Sequence, residues 1–319
     1  MDTHPETSSE KFRTYRLKLL NKLETATQGE RHRAQYELDL MQLSHFVQVG
    51  GLLHHYHDSG PENPRGTILL IHGWDCWWMW WHRIIRTLNA EGYRTVAYDM
   101  KGHGWSDNDP ANRYHIDDFA RDLDELVRKL DLKDIHISAF SFGPFVALDY
   151  LNKYPNSVRS MTFFNFGDLP NNEFVSKVAP ATINFVFNNV MRKLTWWLPA
   201  YIFSRLVLSR NSIMMHDINV GFESLGFCAS EAIEQTTQQI TALETTRMLP
   251  DMVRAVKVPV LYVAGDGDVI MTCENALKLK ELSESGSYLC VPNCGHLITL
   301  ELPETAAEIV LRHVVANNG

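Results

Sequence analysis

Ile135-His136-Ile137-Ser138-Ala139-Phe140-Ser141-Phe142-Gly143, followed by Pro144-Phe145-Val146-Ala147-Leu148, is the stretch on which the reading of this chain turns. A short apolar run ends in Ala-Phe-Ser-Phe-Gly, and a helical pattern follows at once. A serine on a sharp strand-to-helix turn needs small residues two before it and two after it, because larger side chains there collide with neighbouring backbone. Ala139 and Gly143 meet that demand. The turn also sets Ser141 at a helix N-terminus, where backbone N–H groups stabilise developing negative charge. The competing reading is a serine in an ordinary strand-to-helix loop, and the flanking strand and helix patterns argue against it.

Outward from this point the chain alternates strands and helices. Apolar runs at 67–71, 94–98, 135–139, 161–166, 258–263 and 287–291 suit buried strands. Helical patterns lie between them at 78–88, 116–130, 145–151, 274–282 and 303–314. Such alternation argues for a mostly parallel sheet covered on both faces. Before it, 45–49 and 52–57 flank Gly50-Gly51 and read as a hairpin at one edge. Residues 1–43 read as an N-terminal helical extension, with Phe12, Tyr15, Leu19, Leu20 and Leu23 at helical spacing. One interval breaks the rhythm: about 85 residues without strand patterns, rich in large apolar groups, and too long for a structureless loop. It reads as a helical cap. The expected division is therefore a core of 44–167 and 251–319, interrupted by a cap over 168–250.

Three further motifs join the serine turn. His72-Gly73-Trp74-Asp75 directly follows a strand, Asp99-Met100-Lys101-Gly102-His103-Gly104-Trp105-Ser106 follows another, and two late loops read Gly265-Asp266-Gly267-Asp268 and Asn293-Cys294-Gly295-His296. Together these residues resemble the α/β-hydrolase superfamily, over nearly everything after residue 44. The scaffold is similar to its epoxide hydrolase and dehalogenase branch, although that branch carries Asp where this chain has Ser141. The resemblance implies an α/β fold with an eight-stranded, mostly parallel sheet, to which the patterns above add a helical cap insertion and an extra N-terminal helix. It implies Ser141 as nucleophile, His296 as base and Asp268 as the acid, with Asp266 or Asp168 as alternative acids. It also implies an oxyanion hole from the N–H groups of Trp74 and Phe142. Lys101 stands where the family usually has Arg.

The residue types fit the chemistry. A serine hydroxyl is a weak nucleophile until a base takes its proton, His296 can do so near neutral pH, and a carboxylate fixes the imidazole tautomer. The remaining chemistry-bearing residues have plainer readings. His54, His55 and His57 read as a solvated strand face in preference to a metal site, and no metal or cofactor is expected. Trp78 and Trp81 read as core. Asp75, Trp196, Trp197 and Phe203 are candidate pocket residues, because the first follows the oxyanion loop and the others lie in the aromatic cap.

The chain has 319 residues, 45% hydrophobic and 21% charged, with net charge −8. No basic run points to nucleic acid. Five cysteines fit no zinc or disulfide framework and read as free buried thiols of a reducing compartment. No apolar signal segment is legible near the start, so a cytoplasmic location is expected. The basic N-terminal helix reads as packed on the body or on a second copy, with peripheral membrane contact as the other reading. The expected function is hydrolysis of a carboxylic ester or lactone of a small to medium hydrophobic substrate. Carbon–carbon bond hydrolysis, thioester hydrolysis and non-catalytic ligand binding are the alternatives.

Overall fold

The computed structural model describes residues 8–154, 158–168, 171–194 and 197–318. Eight strands form one sheet: β1 (Ser44–Val49), β2 (Leu52–Ser59), β3 (Thr67–Ile71), β4 (Arg94–Tyr98), β5 (Ile135–Phe140), β6 (Val158–Phe164), β7 (Val260–Gly265) and β8 (Gly286–Val291). Their order across the sheet is β1-β2-β4-β3-β5-β6-β7-β8. The β1–β2 hairpin turns at Gly50 and Gly51, both at positive φ, and pairs antiparallel with β4. The other pairings are parallel. All eight strands fall where the apolar runs predict them.

The inner parallel strands β3, β4, β5, β6 and β7 are largely buried on both faces, as continuous apolar runs must be, while β8 at the edge is half-exposed. Along β3, Leu69 and Ile71 face one apolar cluster and Ile68 and Leu70 the other. The first cluster is completed by α4 (Ile116–Lys129) and α5 (Gly143–Lys153), numbering helices along the chain from α1 (Glu10–Thr25), α2 (Gln28–Met41) and α3 (His82–Ala90). The second contains the buried side of α3 and of the last helix (Pro303–Ala316), together with Phe12, Tyr15 and Leu19 of α1.

The N-terminal extension is two helices, not one. Thr27 caps α2 and its hydroxyl meets Glu30, which breaks the run at Ala26. Both helices pack on the body. Phe12 meets Phe46 and Trp105 edge-on, at 5.2 and 5.0 Å between ring centroids. A polar network then ties them to the cap. Arg33 bridges buried Glu37 at 2.7 Å and cap residue Glu223 at 3.0 Å, and the Tyr15 hydroxyl lies between the same two carboxylates.

The cap comprises α6 (Glu173–Phe185), α7 (Trp197–Phe203), α8 (Met215–Phe227) and α9 (Ser230–Ile240), with π-helical turns after α6 and α7. Its second half enters the core through Val220, Leu225, Ala232 and Ile233. The next helix, α10 (Leu243–Ala255), also joins the core through Leu249 and Val253.

Two expectations need correction. His54, His55 and His57 are not a solvated face: β2 pairs on both sides, α1 covers it, and all three are buried. His55 Nδ1 bonds Asp99 at 2.8 Å and His57 stacks on Trp78. The cysteines are not all free either: Cys273 and Cys290 form a disulfide, and Cys76, Cys228 and Cys294 remain as buried thiols. Cys273 starts α11 (Cys273–Leu282), the crossover between β7 and β8, with its sulfur beside the Ala264 carbonyl. Ala264 is the register partner of Cys290, so the crossover itself brings the pair together. Such a bond belongs with an oxidising environment and does not fit the expected reducing one.

Closing a loop of 17 residues' separation should stabilise by about 3 kcal/mol. Cys273→Ser should therefore lower the urea midpoint, and a reductant should shift wild type toward the variant while leaving the variant unmoved. Coincident wild-type curves with and without reductant would contradict the bond's contribution.

Candidate active site

The site is built where β5 meets α5. Ser141 has φ +54°, a left-handed backbone that costs a non-glycine residue free energy. Gly143 keeps the turn possible: a Cβ there would stand 2.8 Å from the Ile71 carbonyl oxygen and 2.9 Å from that of His72. Gly73 is equally constrained, since its Cβ would come within 3.1 Å of the Ser141 Cβ. The loop after β3 and the serine turn therefore touch backbone to backbone, and each needs its glycine. The Ser141 N–H donates to the Phe164 carbonyl at 2.9 Å, which ties the turn to β6.

His296 Nε2 lies 3.1 Å from Ser141 Oγ, and its Nδ1 lies 2.8 Å from Asp268 Oδ2. Ser141 is half-buried; His296 and Asp268 are buried. Asp268 Oδ2 also accepts from Asn165 Nδ2 at 2.8 Å, and Oδ1 accepts from the N–H groups of Ile270 and Met271. Burial alone would raise this carboxyl. His296 beside it, with the Met271 and Asn165 donors, overturns that and holds it below the usual carboxylate range. The carboxylate is thus available to orient Nδ1–H, leaving Nε2 to accept the serine proton.

The alternative acids have other partners. Asp266 Oδ1 accepts from the Cys294 N–H at 3.2 Å and so fastens the histidine loop. Asp168 takes its backbone partners from Asn275. Gly265 has no room for a side chain, because a Cβ would sit 2.2 Å from the Cys294 carbonyl oxygen.

Among the described residues the backbone N–H groups of Trp74 and Phe142 show no loop or turn acceptor, whereas the neighbouring Ser141 N–H is paired to Phe164. Both border the turn that carries Ser141. His72 is neutral scaffolding: Nδ1 meets the Gly73 carbonyl at 2.8 Å, Nε2 accepts from the Met100 N–H, and burial lowers its basicity. Asp99, wholly buried, accepts from the N–H groups of Trp78 and Trp105 and from His55. Gly104 must lack a side chain to admit it. Lys101 fills the arginine position with a 2.9 Å ion pair to Asp122.

The pocket candidates divide. Trp74 stands edge-on to Phe187 of the cap, 4.3 Å between centroids, so the cap reaches the loop after β3. Asp75 is buried at φ +51°. Trp196 lies outside the described residues, Trp197 lies on α7, and Phe203 is half-buried with no ring contact to the triad. Trp77, Trp78, Trp80 and Trp81 are core.

Two groups at this site had no motif to reveal them. Asn165, at φ +50° after β6, braces Asp268 and the Gly295 carbonyl. Buried Glu301 accepts from the N–H groups of Gly295 and Leu297 around His296, and from those of Arg210 and Asn211 between α7 and α8 of the cap. The His296 N–H itself donates to Leu208 at 2.6 Å. Cap and histidine loop are therefore one bonded unit.

A family model described as alpha/beta hydrolase fold matches residues 66–194. A Synechocystis sp. protein, provisionally named a non-heme chloroperoxidase, is 28% identical over 76% of this chain and 88% of its own length. An esterase from Exiguobacterium antarcticum superposes with TM-score 0.73 at 19% identity, covering 85% of this chain and 98% of its own. A bacterial membrane phospholipase A superposes with TM-score 0.72 at 20% identity, covering 96% of this chain and 97% of its own. At these identities the two structures speak for the fold alone.

Burial pushes the Asp75 carboxyl up to about 8, only partly opposed by Arg192 and the Cys228 thiol. The fold therefore holds a proton that the unfolded chain releases near its ordinary value of about 4. Stability from this group falls as pH rises from about 4 to 8 and does not return above that. Asp75→Asn should gain on wild type in urea unfolding free energy across that interval, then run parallel to it. Parallel curves throughout would exclude the shift.

Proposed function

This chain is an α/β-hydrolase by fold, and on that premise we propose that it cleaves a carboxylic ester or lactone of a small to medium hydrophobic substrate through an acyl-enzyme on Ser141. The observation that carries the reading is the continuous hydrogen-bonded chain from Ser141 Oγ through His296 to Asp268. The two unpaired N–H groups beside it supply what the chain lacks, a receptor for the oxyanion.

In this mechanism Oγ attacks the carbonyl carbon while His296 Nε2 takes the hydroxyl proton. The carbonyl oxygen becomes an oxyanion and accepts from Trp74 and Phe142. Each such donor lowers the barrier by about 3 kcal/mol. Collapse breaks the bond to the leaving oxygen, which takes the proton back from His296. Water then repeats the cycle: His296 removes its proton, the hydroxide oxygen bonds the acyl carbon, and Ser141 leaves with the proton. Asp268 stays ionised and stabilises the imidazolium in both halves.

The buried aromatic surroundings and the cap that meets Trp74 favour an apolar acyl group. The esterase and phospholipase among the fold neighbours are compatible with ester chemistry.

Hydrolysis of p-nitrophenyl esters from acetate to palmitate, by wild type and Ser141→Ala, tests the reading. Turnover should fall by a factor on the order of 10⁴ or more in the variant, with an optimum at short to medium acyl chains. Equal rates at every chain length would remove the ester reading and bring carbon–carbon hydrolysis or ligand binding forward.

A further inference from the structure

Surface helices ordinarily bury one stripe of side chains and leave the rest to water. α4 does so, burying Phe119, Leu123 and Leu126. The outer half of the cap does not. Between residues 171 and 208 no described residue is buried, although the segment includes α6, α7 and both π-helical turns. Phe187 packs on the body, but several other apolar groups face outward instead. Phe174, Val178 and Phe185, at the spacing of one face of α6, are 73%, 44% and 61% exposed. Ile202 and Leu206, one helical turn apart, are 48% and 80% exposed. A single soluble chain rarely leaves so much apolar surface together without a partner.

The charge of the same segment says what kind of partner. Within residues 173–208 the acid is Glu173 alone, against Lys177, Arg192, Lys193 and Arg205. The chain as a whole is −8, so this cationic segment runs against its background. An apolar helical surface with basic residues along it is the pattern of a segment lying in the plane of a bilayer, held by burial and by attraction to anionic headgroups. No helix among the described residues is long and apolar enough to cross a membrane, so contact of this kind lies on the surface.

The basic helix α1 is less suited to that contact. Its apolar stripe of Phe12, Tyr15 and Leu19 is already spent inside the body, which leaves Leu17 and Leu20 outward. We propose that the outer half of the cap, residues 173–194 and 197–208, is the surface by which this protein lies on an anionic lipid bilayer. Phe187 in that segment touches Trp74, so the docked surface is one side chain away from the candidate active site. The inference stands on exposure and charge and does not depend on the hydrolase reading.

Cosedimentation of the full chain with vesicles tests it, comparing phosphatidylcholine alone with phosphatidylcholine containing phosphatidylglycerol, at low and high salt. The account predicts binding to the anionic vesicles that weakens as salt screens the charges. Phe185→Asp with Leu206→Asp should cut binding by about a hundredfold or more, the scale of removing two large side chains from an apolar interface. Both positions are exposed, so the melting temperature and turnover of a soluble ester should be unchanged. Lys177→Glu with Lys193→Glu should weaken binding at low salt. No binding to anionic vesicles at low salt, or full binding by the double aspartate variant, overturns the proposal. So does a dimer in sedimentation velocity that the same variant splits without any vesicle binding, since a second copy would then cover the surface.

Discussion

Ser141 can reach its partners because two backbones meet at the serine turn with no side chain between them. The residue holds a left-handed conformation, with Gly143 under the Ile71 and His72 carbonyls and Gly73 against the Ser141 Cβ. That arrangement exposes Oγ at the head of the sheet and leaves the Trp74 and Phe142 N–H groups unpaired beside it. The cost of the strained turn is met by the strands around it: β5 is buried along its whole length and pairs with both β3 and β6. The same crowding recurs at Gly265, where the acid loop and the histidine loop touch. Three backbone contacts thus fix three side chains that lie far apart in sequence.

These contacts explain what the sequence could disclose. Where close approach forces glycine the motif is local and legible, as at Ser141; Asp268 and His296 came from the family resemblance, and the fold brings the three side chains together. The inner parallel strands were legible for a related reason, since strands buried on both faces are continuous apolar runs, and the leading hairpin was legible from its Gly50-Gly51 turn. The other features are products of the assembled fold. Cys273 and Cys290 meet only because a crossover helix starts beside the register partner of Cys290. The histidines of β2 are buried because Phe12 of α1 and Trp78 cover His55 and His57 on one face and Asp122 of α4 lies by His54 on the other, and alternation alone does not reveal a cover. Asn165 and Glu301 belong to no short pattern, although an asparagine just past a strand is a residue type that tolerates positive φ.

The extension and the cap act together. Tyr15 and Arg33 of the N-terminal helices hold Glu223 of α8, while Glu301 and Leu208 join the stretch between α7 and α8 to the histidine loop. The cap is therefore tied to the body both at α8 and just before it, and several apolar groups of its outer half stay exposed. This gives the N-terminal helices a structural part in fixing the cap.

The most direct test of this account is to acid-quench the protein in the first turnovers of a slowly deacylated p-nitrophenyl ester and locate the acyl group by peptide mass spectrometry. The account predicts one acyl group per chain, on Ser141. An unmodified Ser141 during turnover, or an acyl group carried instead by a thiol such as Cys76 or Cys228, would contradict it.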